Sequence, residues 1–314
     1  MTKQIADHST GGEKCPCCGG AARRWGKKSC YGSDWSIHRC DRCGFGFVWP
    51  RPTWQFIDDF YRQHGGHGRE DAKVLDATAI RLREQADPNS SVDADRVAKT
   101  IVGLLARGAN AGGRRPSLLD VGCGYGFFSR SAIANGFHVA AIELSDHEAE
   151  IAREIAAVDP IRVSFEEFEP GDSFDAIVMS QVLEHAIDAD QWVGKAAHLL
   201  RPGGVLAVAV PNFDGVFRRL LGIRDFMIIP PAHLNYFGPR ALECMLRKHG
   251  FSCPRTDHVT RIPGETIRRR LGGYGRIAEI LGRGCGRAFG ATTETLRIGG
   301  IINLYGVRLP APSA

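Results

Sequence analysis

The sequence contains no apolar run that approaches the roughly 18 residues of a membrane-spanning helix. Its first residues, Met1 to Lys14, are polar and lack the apolar segment of a secretory signal. We therefore expect no membrane span and a cytoplasmic location. A secreted disulfide scaffold is also disfavoured, because the chain is long and six of its ten cysteines lie between Cys15 and Cys43. Cysteines clustered in this way indicate a metal site.

The excess of basic residues is confined to two segments of the chain. Residues 14–51 contain eight Lys or Arg and two acidic residues, and residues 261–308 contain nine Arg and three Glu. Since the net charge of the chain is +5, the stretch between these segments is acidic on balance. Two basic segments can bind an anionic substrate such as a nucleotide sugar or RNA, although a solvated surface has the same composition.

Two C-x-x-C-G turns, separated by 21 residues, predict a structural zinc site. Each turn presents two thiolates, and two turns complete a closed tetrahedral shell that leaves no position for a substrate. The predicted ligands are Cys15, Cys18, Cys40 and Cys43. Cys17 is the inner residue of its turn and is left out, while Cys30 and His38 are the alternative ligands.

Composition and patterning divide the chain into four parts. We predict a disordered tail (1–13), a zinc-binding module (14–52), a helical lid region (53–113) and an α/β domain with a C-terminal substrate region (114–314). In the last part, short apolar runs alternate with helical segments, which predicts right-handed crossovers and a mostly parallel sheet. The apolar runs are Ser117–Val121, His138–Ile142, Ile161–Val163, Phe174–Met179 and Val205–Val210.

A glycine-rich loop follows the first of these apolar runs, in the sequence Asp120-Val121-Gly122-Cys123-Gly124-Tyr125-Gly126. Glycines at the end of a buried strand permit a tight turn and a close approach of a ligand to the backbone. The dinucleotide fingerprint would need glycine where this chain has Phe127, and the Walker loop is absent. Glu143 lies about 20 residues further on, at the end of the next strand, where a carboxylate can bind the hydroxyls of a ribose.

This region resembles the class I S-adenosylmethionine-dependent methyltransferases. The glycine loop and Glu143 resemble the cofactor-binding motifs of that family, and Phe174 to His185 resembles its fourth strand and the following turn. The resemblance implies a Rossmann-like, mostly parallel seven-stranded sheet whose last strand, at Ile301–Val307, is antiparallel. It implies a cofactor site formed by Asp120, Gly122, Cys123, Gly124, Gly126, Glu143, Leu144, Ser180 and Gln181.

The predicted catalytic residues are His185, Glu184, His233 and Tyr236. His185 is the candidate general base, because the pKa of an imidazole lies near neutrality and the Glu184–His185 pair follows a strand end. In the zinc-containing sugar methyltransferases that the chain resembles, the matching Glu-His pair has this kind of role. Glu184 is expected to have a supporting or structural role. His233 and Tyr236 lie in a predicted lid segment, where they contact substrate or, alternatively, order and pack the loop.

These features predict a methyltransferase that acts on a small molecule, with S-adenosylmethionine and a structural zinc ion as cofactors. Methylation of either oxygen or carbon is expected, on a sugar nucleotide or a related biosynthetic intermediate, and an O-methyltransferase resembling those of quinone biosynthesis is equally open. One alternative is an rRNA base methyltransferase that uses the zinc module for RNA recognition. Another is a zinc-ribbon interaction protein without catalytic activity.

Overall fold

The computed structural model describes residues 14–64, 75–86, 89–107, 114–260 and 276–310. The predicted tail 1–13 and the segments 65–74 and 108–113 of the predicted lid region lie outside these residues. No helix in the described part of the chain is long and apolar enough to cross a membrane. The described residues form a small antiparallel sheet, a group of helices and a larger α/β sandwich.

The small sheet contains the predicted zinc-binding module and one strand from much later in the chain. Strands β1 (Ala22–Cys30) and β2 (Ser33–Cys40) form a hairpin, and β3 (Gly46–Val48) pairs with β2. The other edge of β3 pairs with β8 (Asn235–Tyr236), so the order is β1-β2-β3-β8. The module therefore shares its backbone hydrogen bonding with the α/β domain.

Three helices follow the small sheet, in the region predicted to be helical. They are α1 (Trp54–His64), α2 (Ala77–Ala86) and α3 (Asn89–Arg107). The buried positions of α3 recur every three or four residues, which places one face of the helix against the larger sheet. These positions are Ala94, Val97, Ala98, Ile101 and Leu105.

The larger sheet has six strands in the order β5-β4-β6-β7-β10-β9. The strands are β4 (Ser117–Val121), β5 (His138–Ile142), β6 (Phe174–Ser180), β7 (Leu200–Pro211), β9 (Phe251–Val259) and β10 (Ile301–Arg308). Strands β4 to β7 are parallel, whereas β10 runs antiparallel to both of its neighbours. The predicted mostly parallel sheet with an antiparallel last strand is therefore confirmed.

The predicted seventh strand, at Ile161–Val163, is reduced to a single bridge. Ile161 pairs with Ile142 in parallel, its N–H donates to the Ala141 carbonyl, and its carbonyl accepts from the Glu143 N–H. The N–H of Val163 then donates back to the carbonyl of Ile161, which turns the chain away from the sheet. The prediction of seven strands was wrong for the described residues. The turn at Val163 takes the place of further pairing between this segment and β5.

Helices cover both faces of the larger sheet, as expected for strands that are buried on two sides. They are α4 (Phe127–Ala134), α5 (Asp146–Ala156), α6 (Ala189–Leu199), α7 (Val216–Leu221), α8 (Pro239–Lys248) and α9 (Arg276–Thr295). Alternate residues of β4 face different cores: Leu119 packs with α6 and α8, whereas Leu118 packs with α3 and α4. Phe45 and Phe47 of the small sheet belong to the first of these cores.

Candidate active site

The glycine loop connects the carboxyl end of β4 to the start of α4. Gly122, Gly124 and Gly126 all have positive φ, at 63°, 51° and 79°. A Cβ atom at Gly122 would lie 2.7 Å from Val182 Cγ2, and one at Gly126 would lie 3.1 Å from the backbone of Ala152. At Gly124 the nearest atom would be a Glu148 carboxyl oxygen at 3.5 Å, so the space above this residue is open.

Glu143 lies at the end of β5, beside the glycine loop. Its Oε2 accepts a hydrogen bond from the Gly124 N–H at 2.9 Å, and its Oε1 accepts one from the Ser145 N–H at 2.9 Å. Burial raises the pKa of the Glu143 carboxyl, an effect that the two N–H donors oppose. Each carboxyl oxygen of Glu143 retains a lone pair that can accept a hydrogen bond from a ribose hydroxyl. The oriented carboxylate and the open backbone at Gly124 therefore fit the ribose of S-adenosylmethionine.

Most of the other predicted cofactor residues line one cleft with Gly124 and Glu143. The cleft has a volume of about 1600 Å³, and its walls include Asp120, Gly122, Cys123, Leu144, Ser180 and Gln181. Gly126 does not line the cleft; it packs against α5. Asp120 is buried and accepts from the Ser129 hydroxyl at 2.6 Å, and burial raises its pKa to about 7.

His185 lines the same cleft, in the short 3-10 turn Leu183–His185 that follows β6. Its Nδ1 lies 2.7 Å from the Ala232 carbonyl oxygen, which can only accept a hydrogen bond. The proton of a neutral imidazole therefore resides on Nδ1, which leaves Nε2 as the basic nitrogen. The Tyr61 hydroxyl, from α1, lies 3.0 Å from Nδ1 and donates to Ala232 at 3.3 Å.

Glu184 and His233 lie beside His185 and are both buried. Burial raises the pKa of Glu184 to about 8, and within the described residues neither of its carboxyl oxygens has a hydrogen-bond partner. Burial and the nearby His185 lower the pKa of His233 to about 3, so His233 is neutral and its Nδ1–H donates to the Met227 carbonyl. Ligand atoms of all three side chains lie within 4.8 Å of one another, a donor set that can also bind a divalent cation.

Tyr236 lies in the core, outside the cleft. Its side chain is 5% exposed, its ring packs against Phe213, and its hydroxyl donates to the His233 carbonyl at 2.9 Å. Tyr236 is not among the described residues that line the cleft. The geometry therefore matches the alternative that Tyr236 packs, and the prediction that it contacts substrate does not fit its position.

Tyr61 is a site residue that sequence reasoning did not identify. The sequence predicts only a helix over residues 53–62, and nothing in the spacing indicates that this helix reaches His185. Trp54, Ile57 and Asp58 of the same helix also line the cleft. Only the packing of α1 over the carboxyl ends of the parallel strands brings these side chains together with His185.

The four predicted zinc ligands come together in the small sheet. The Sγ atoms of Cys15 and Cys43 are 3.6 Å apart, and those of Cys18 and Cys40 are 3.5 Å apart. Four thiolates around Zn²⁺, each with a Zn–S bond of about 2.3 Å, are separated by roughly 3.8 Å, so the cluster fits this ion. Cys17 is directed elsewhere, to the Ala241 carbonyl.

Comparisons with known proteins agree with this geometry. The model of the methyltransferase-domain family matches residues 93–275, more than half of the chain. A ubiquinone biosynthesis O-methyltransferase of Sinorhizobium medicae is 36% identical over 101 residues, which cover 30% of this chain and 41% of that protein. One from Aromatoleum aromaticum is 31% identical over 159 residues, or 46% of this chain and 67% of that protein.

Solved structures that resemble this chain have lower sequence identity to it. The 1,6-didemethyltoxoflavin-N1-methyltransferase of Burkholderia thailandensis has a TM-score of 0.49 and 14% identity, and the match covers 88% of this chain and 96% of that chain. The chain spans about two fifths of the length of the first curated relatives it matches, at 41%. The acceptor of this protein must therefore be inferred from its own cleft.

Proposed function

The chain belongs to the methyltransferase-domain family and carries a domain for S-adenosylmethionine-dependent methyl transfer, and from this premise we propose that it methylates a hydroxyl group of an uncharged small molecule. The observation that carries the proposal is the tautomer of the His185 imidazole, which lines the cleft. Because Nδ1–H is held by the Ala232 carbonyl, Nε2 is the nitrogen that can accept the proton of an acceptor hydroxyl. The bound cofactor supplies an electrophilic methyl group.

The walls of the cleft favour an uncharged acceptor over a sugar nucleotide. Apolar and aromatic residues line it near His185, and they are Trp54, Ile57, Tyr61, Ile187 and Ile229. Among the described residues that line the cleft, none is Lys or Arg, the side chains that usually bind a diphosphate. The names of the ubiquinone biosynthesis O-methyltransferases support a hydroxylated ring as the acceptor.

The chain's own residues supply orientation and proton transfer. The glycine loop and Glu143 would hold S-adenosylmethionine, and the apolar walls would exclude water from the acceptor. His185 removes the hydroxyl proton as the acceptor oxygen becomes nucleophilic, which is worth about 10²- to 10⁴-fold in rate for a general base. Neutral His233 and Glu184, whose raised pKa favours its protonated form at neutral pH, keep charge away from this imidazole.

Replacement of His185 by Gln tests the proposed base. We expect kcat for a catechol acceptor to fall by about 10² or more, because glutamine cannot accept the proton. The affinity for S-adenosylhomocysteine, measured by calorimetry, should remain near that of the wild-type protein. His198→Gln is the matched control, since His198 lies on α6 and does not line the cleft. Near-normal turnover by His185→Gln would remove His185 from the mechanism.

A panel of acceptors separates the proposal from its alternatives. Methylation of simple catechols, with no transfer to UDP-hexoses, is the expected result. Transfer to UDP-hexoses would favour a sugar methyltransferase. Transfer to ribosomal RNA, with binding that weakens steeply as salt is added, would favour the RNA enzyme. Absence of S-adenosylhomocysteine binding would favour a non-catalytic zinc-ribbon protein. Unchanged activity after treatment with a chelator would exclude a catalytic cation at Glu184, His185 and His233.

A further inference from the structure

The side-chain amide of Asn235 binds the turn that carries Glu184 and His185. Asn235 is 1% exposed, and its Nδ2 donates to the carbonyl oxygens of Ala186 at 2.6 Å, Leu183 at 3.2 Å and Glu184 at 3.4 Å. The backbone N–H of Leu234 also donates to the Glu184 carbonyl at 2.8 Å. The proposed base therefore lies on a turn whose carbonyl groups converge on strand β8.

Arg51 sets the orientation of that amide. Its Nη2 donates to Asn235 Oδ1 at 2.6 Å, and its Nη1 donates to the Leu234 carbonyl at 3.0 Å. A guanidinium has only donors, so it selects the amide oxygen and directs Nδ2 toward the carbonyl groups of the turn. The guanidinium also lies 5.8 Å from the centre of the Phe47 ring. Arg51 thus fixes both the side chain of Asn235 and the backbone at Leu234, in the segment that holds the turn.

Arg51 lies at the C-terminal end of the zinc-binding module. Strand β3 of that module pairs with β8, and the Val48 N–H donates to the same Leu234 carbonyl at 3.0 Å. Ala232, whose carbonyl oxygen binds His185 Nδ1, lies two residues before Leu234. Hydrogen bonds to Leu234, and the two residues of chain from Leu234 back to Ala232, therefore connect the small sheet to the imidazole.

We propose that Arg51 and Asn235 are positioning residues that hold the Leu183–Ala186 turn and the Ala232 carbonyl, so that His185 keeps its proton on Nδ1 and presents Nε2 to the acceptor. This inference rests on the proposed function, and it assigns to the zinc-binding module a part in catalysis beyond stability. Neither residue lines the cleft. Their effect on the reaction is transmitted through the turn.

The tautomer of His185 is the direct readout, and it does not depend on the substrate. Long-range ¹H–¹⁵N spectra of the imidazole, assigned with His185→Gln, should show the Nδ1–H tautomer in the wild-type protein. In Arg51→Ala and Asn235→Ala we expect a mixture of tautomers. A wild-type tautomer pattern in folded Arg51→Ala would overturn the proposal. Because this measurement needs no turnover, it separates a failure of the positioning role from a failure of the proposed hydroxyl methylation.

Kinetics give the second readout. We expect Arg51→Ala to lower kcat by about 10- to 100-fold, since small displacements of a catalytic group have costs of this size, while the affinity for S-adenosylhomocysteine is retained. Added guanidinium should restore part of kcat, and Arg51→Lys should keep more activity than Arg51→Ala. Arg39→Ala is the matched control, because Arg39 also connects the small sheet to the α/β domain, through Asp214 at 2.8 Å, without contacting the turn. Equal kcat in Arg51→Ala and Arg39→Ala would overturn the proposal.

Discussion

The three glycines of the cofactor loop have different physical roles, although the sequence presents them as one alternating repeat. Gly122 and Gly126 are required because a side chain there would collide with Val182 or with α5. Gly124 has open space above it and donates its N–H to Glu143. The sequence predicts that the backbone must be bare, and the structure separates the two positions where neighbouring atoms exclude a side chain from the one where the space is open.

Gly124→Val should abolish measurable binding of S-adenosylhomocysteine. The side chain would occupy the open space, and φ of 51° costs a non-glycine residue about 1–2 kcal/mol. Calorimetry measures the affinity. Gly136→Val is the matched control, because Gly136 also has positive φ, at 93°, but lies in the turn after α4, away from the cleft. Retained affinity in Gly124→Val would refute the assignment of the loop.

Asp120→Asn should make stability less dependent on pH. Burial raises the pKa of Asp120 to about 7 in the folded protein, above its ordinary value of 3.8. The folded state therefore binds the proton more tightly, and its stability should fall as pH rises from about 4 to about 7, by up to about 1.4 kcal/mol per pH unit. Urea unfolding of the cofactor-free protein at pH 5 and pH 7.5 measures this loss, which asparagine should reduce.

The control for this experiment is Asp172→Asn, at an exposed position. Its pH dependence should match that of the wild-type protein. If Asp120→Asn and wild-type protein lose the same stability between the two pH values, the burial of a raised-pKa carboxyl at the loop is not the cause.

At the scale of secondary-structure elements, the zinc-binding module is joined to the α/β domain by strand pairing. Strand β3 pairs with β2 on one edge and with β8 on the other. Phe45 and Phe47 complete a core that includes α8. This shared core holds the module in place, and a zinc ion bound by the four cysteines would add to its stability.

Cys43→Ser should reduce the zinc content below one ion per chain and lower the melting temperature, because three thiolates bind zinc less tightly than four. Mass spectrometry for zinc and differential scanning calorimetry measure the two effects. Cys17→Ser is the matched control, since the Cys17 thiol donates to the Ala241 carbonyl and Cys17 is not one of the four cysteines whose Sγ atoms come together as a ligand set. Loss of zinc from Cys17→Ser with retention in Cys43→Ser would contradict the ligand assignment.

Elements also differ in how far local sequence predicts them. The apolar runs that become β4, β5 and β6 have no competing local hydrogen bonds, and they form strands close to the predicted bounds. Ile161–Val163 has an equally apolar pattern, but the turn at Val163 ends its pairing after one bridge. Local hydrogen bonds of this kind are not visible in hydrophobic periodicity.

At the scale of the whole molecule, the charge pattern of the sequence and the lining of the cleft favour different kinds of ligand. The basic segments at 14–51 and 261–308 favour an anionic partner, and residues 261–275 lie outside the described structure. Within the described residues, the cleft is lined by apolar and acidic side chains, including Asp58, Glu148 and Glu184. A ligand that enters this cleft therefore meets apolar and acidic side chains, which disfavour an anionic acceptor.

The sequence alone determined the chemistry that depends on residues close together in the chain. The zinc ligands come from two turns, and the cofactor loop with Glu143 comes from two successive strands, so spacing was sufficient to predict them. The tertiary structure decided everything that depends on distant segments meeting: the placement of Tyr61 beside His185, the burial of Tyr236, and the hydrogen bonds from Arg51 through Asn235 to the Leu183–Ala186 turn. These contacts join residues that are far apart in sequence, and they form only when the strands pair and the helices pack in the folded chain.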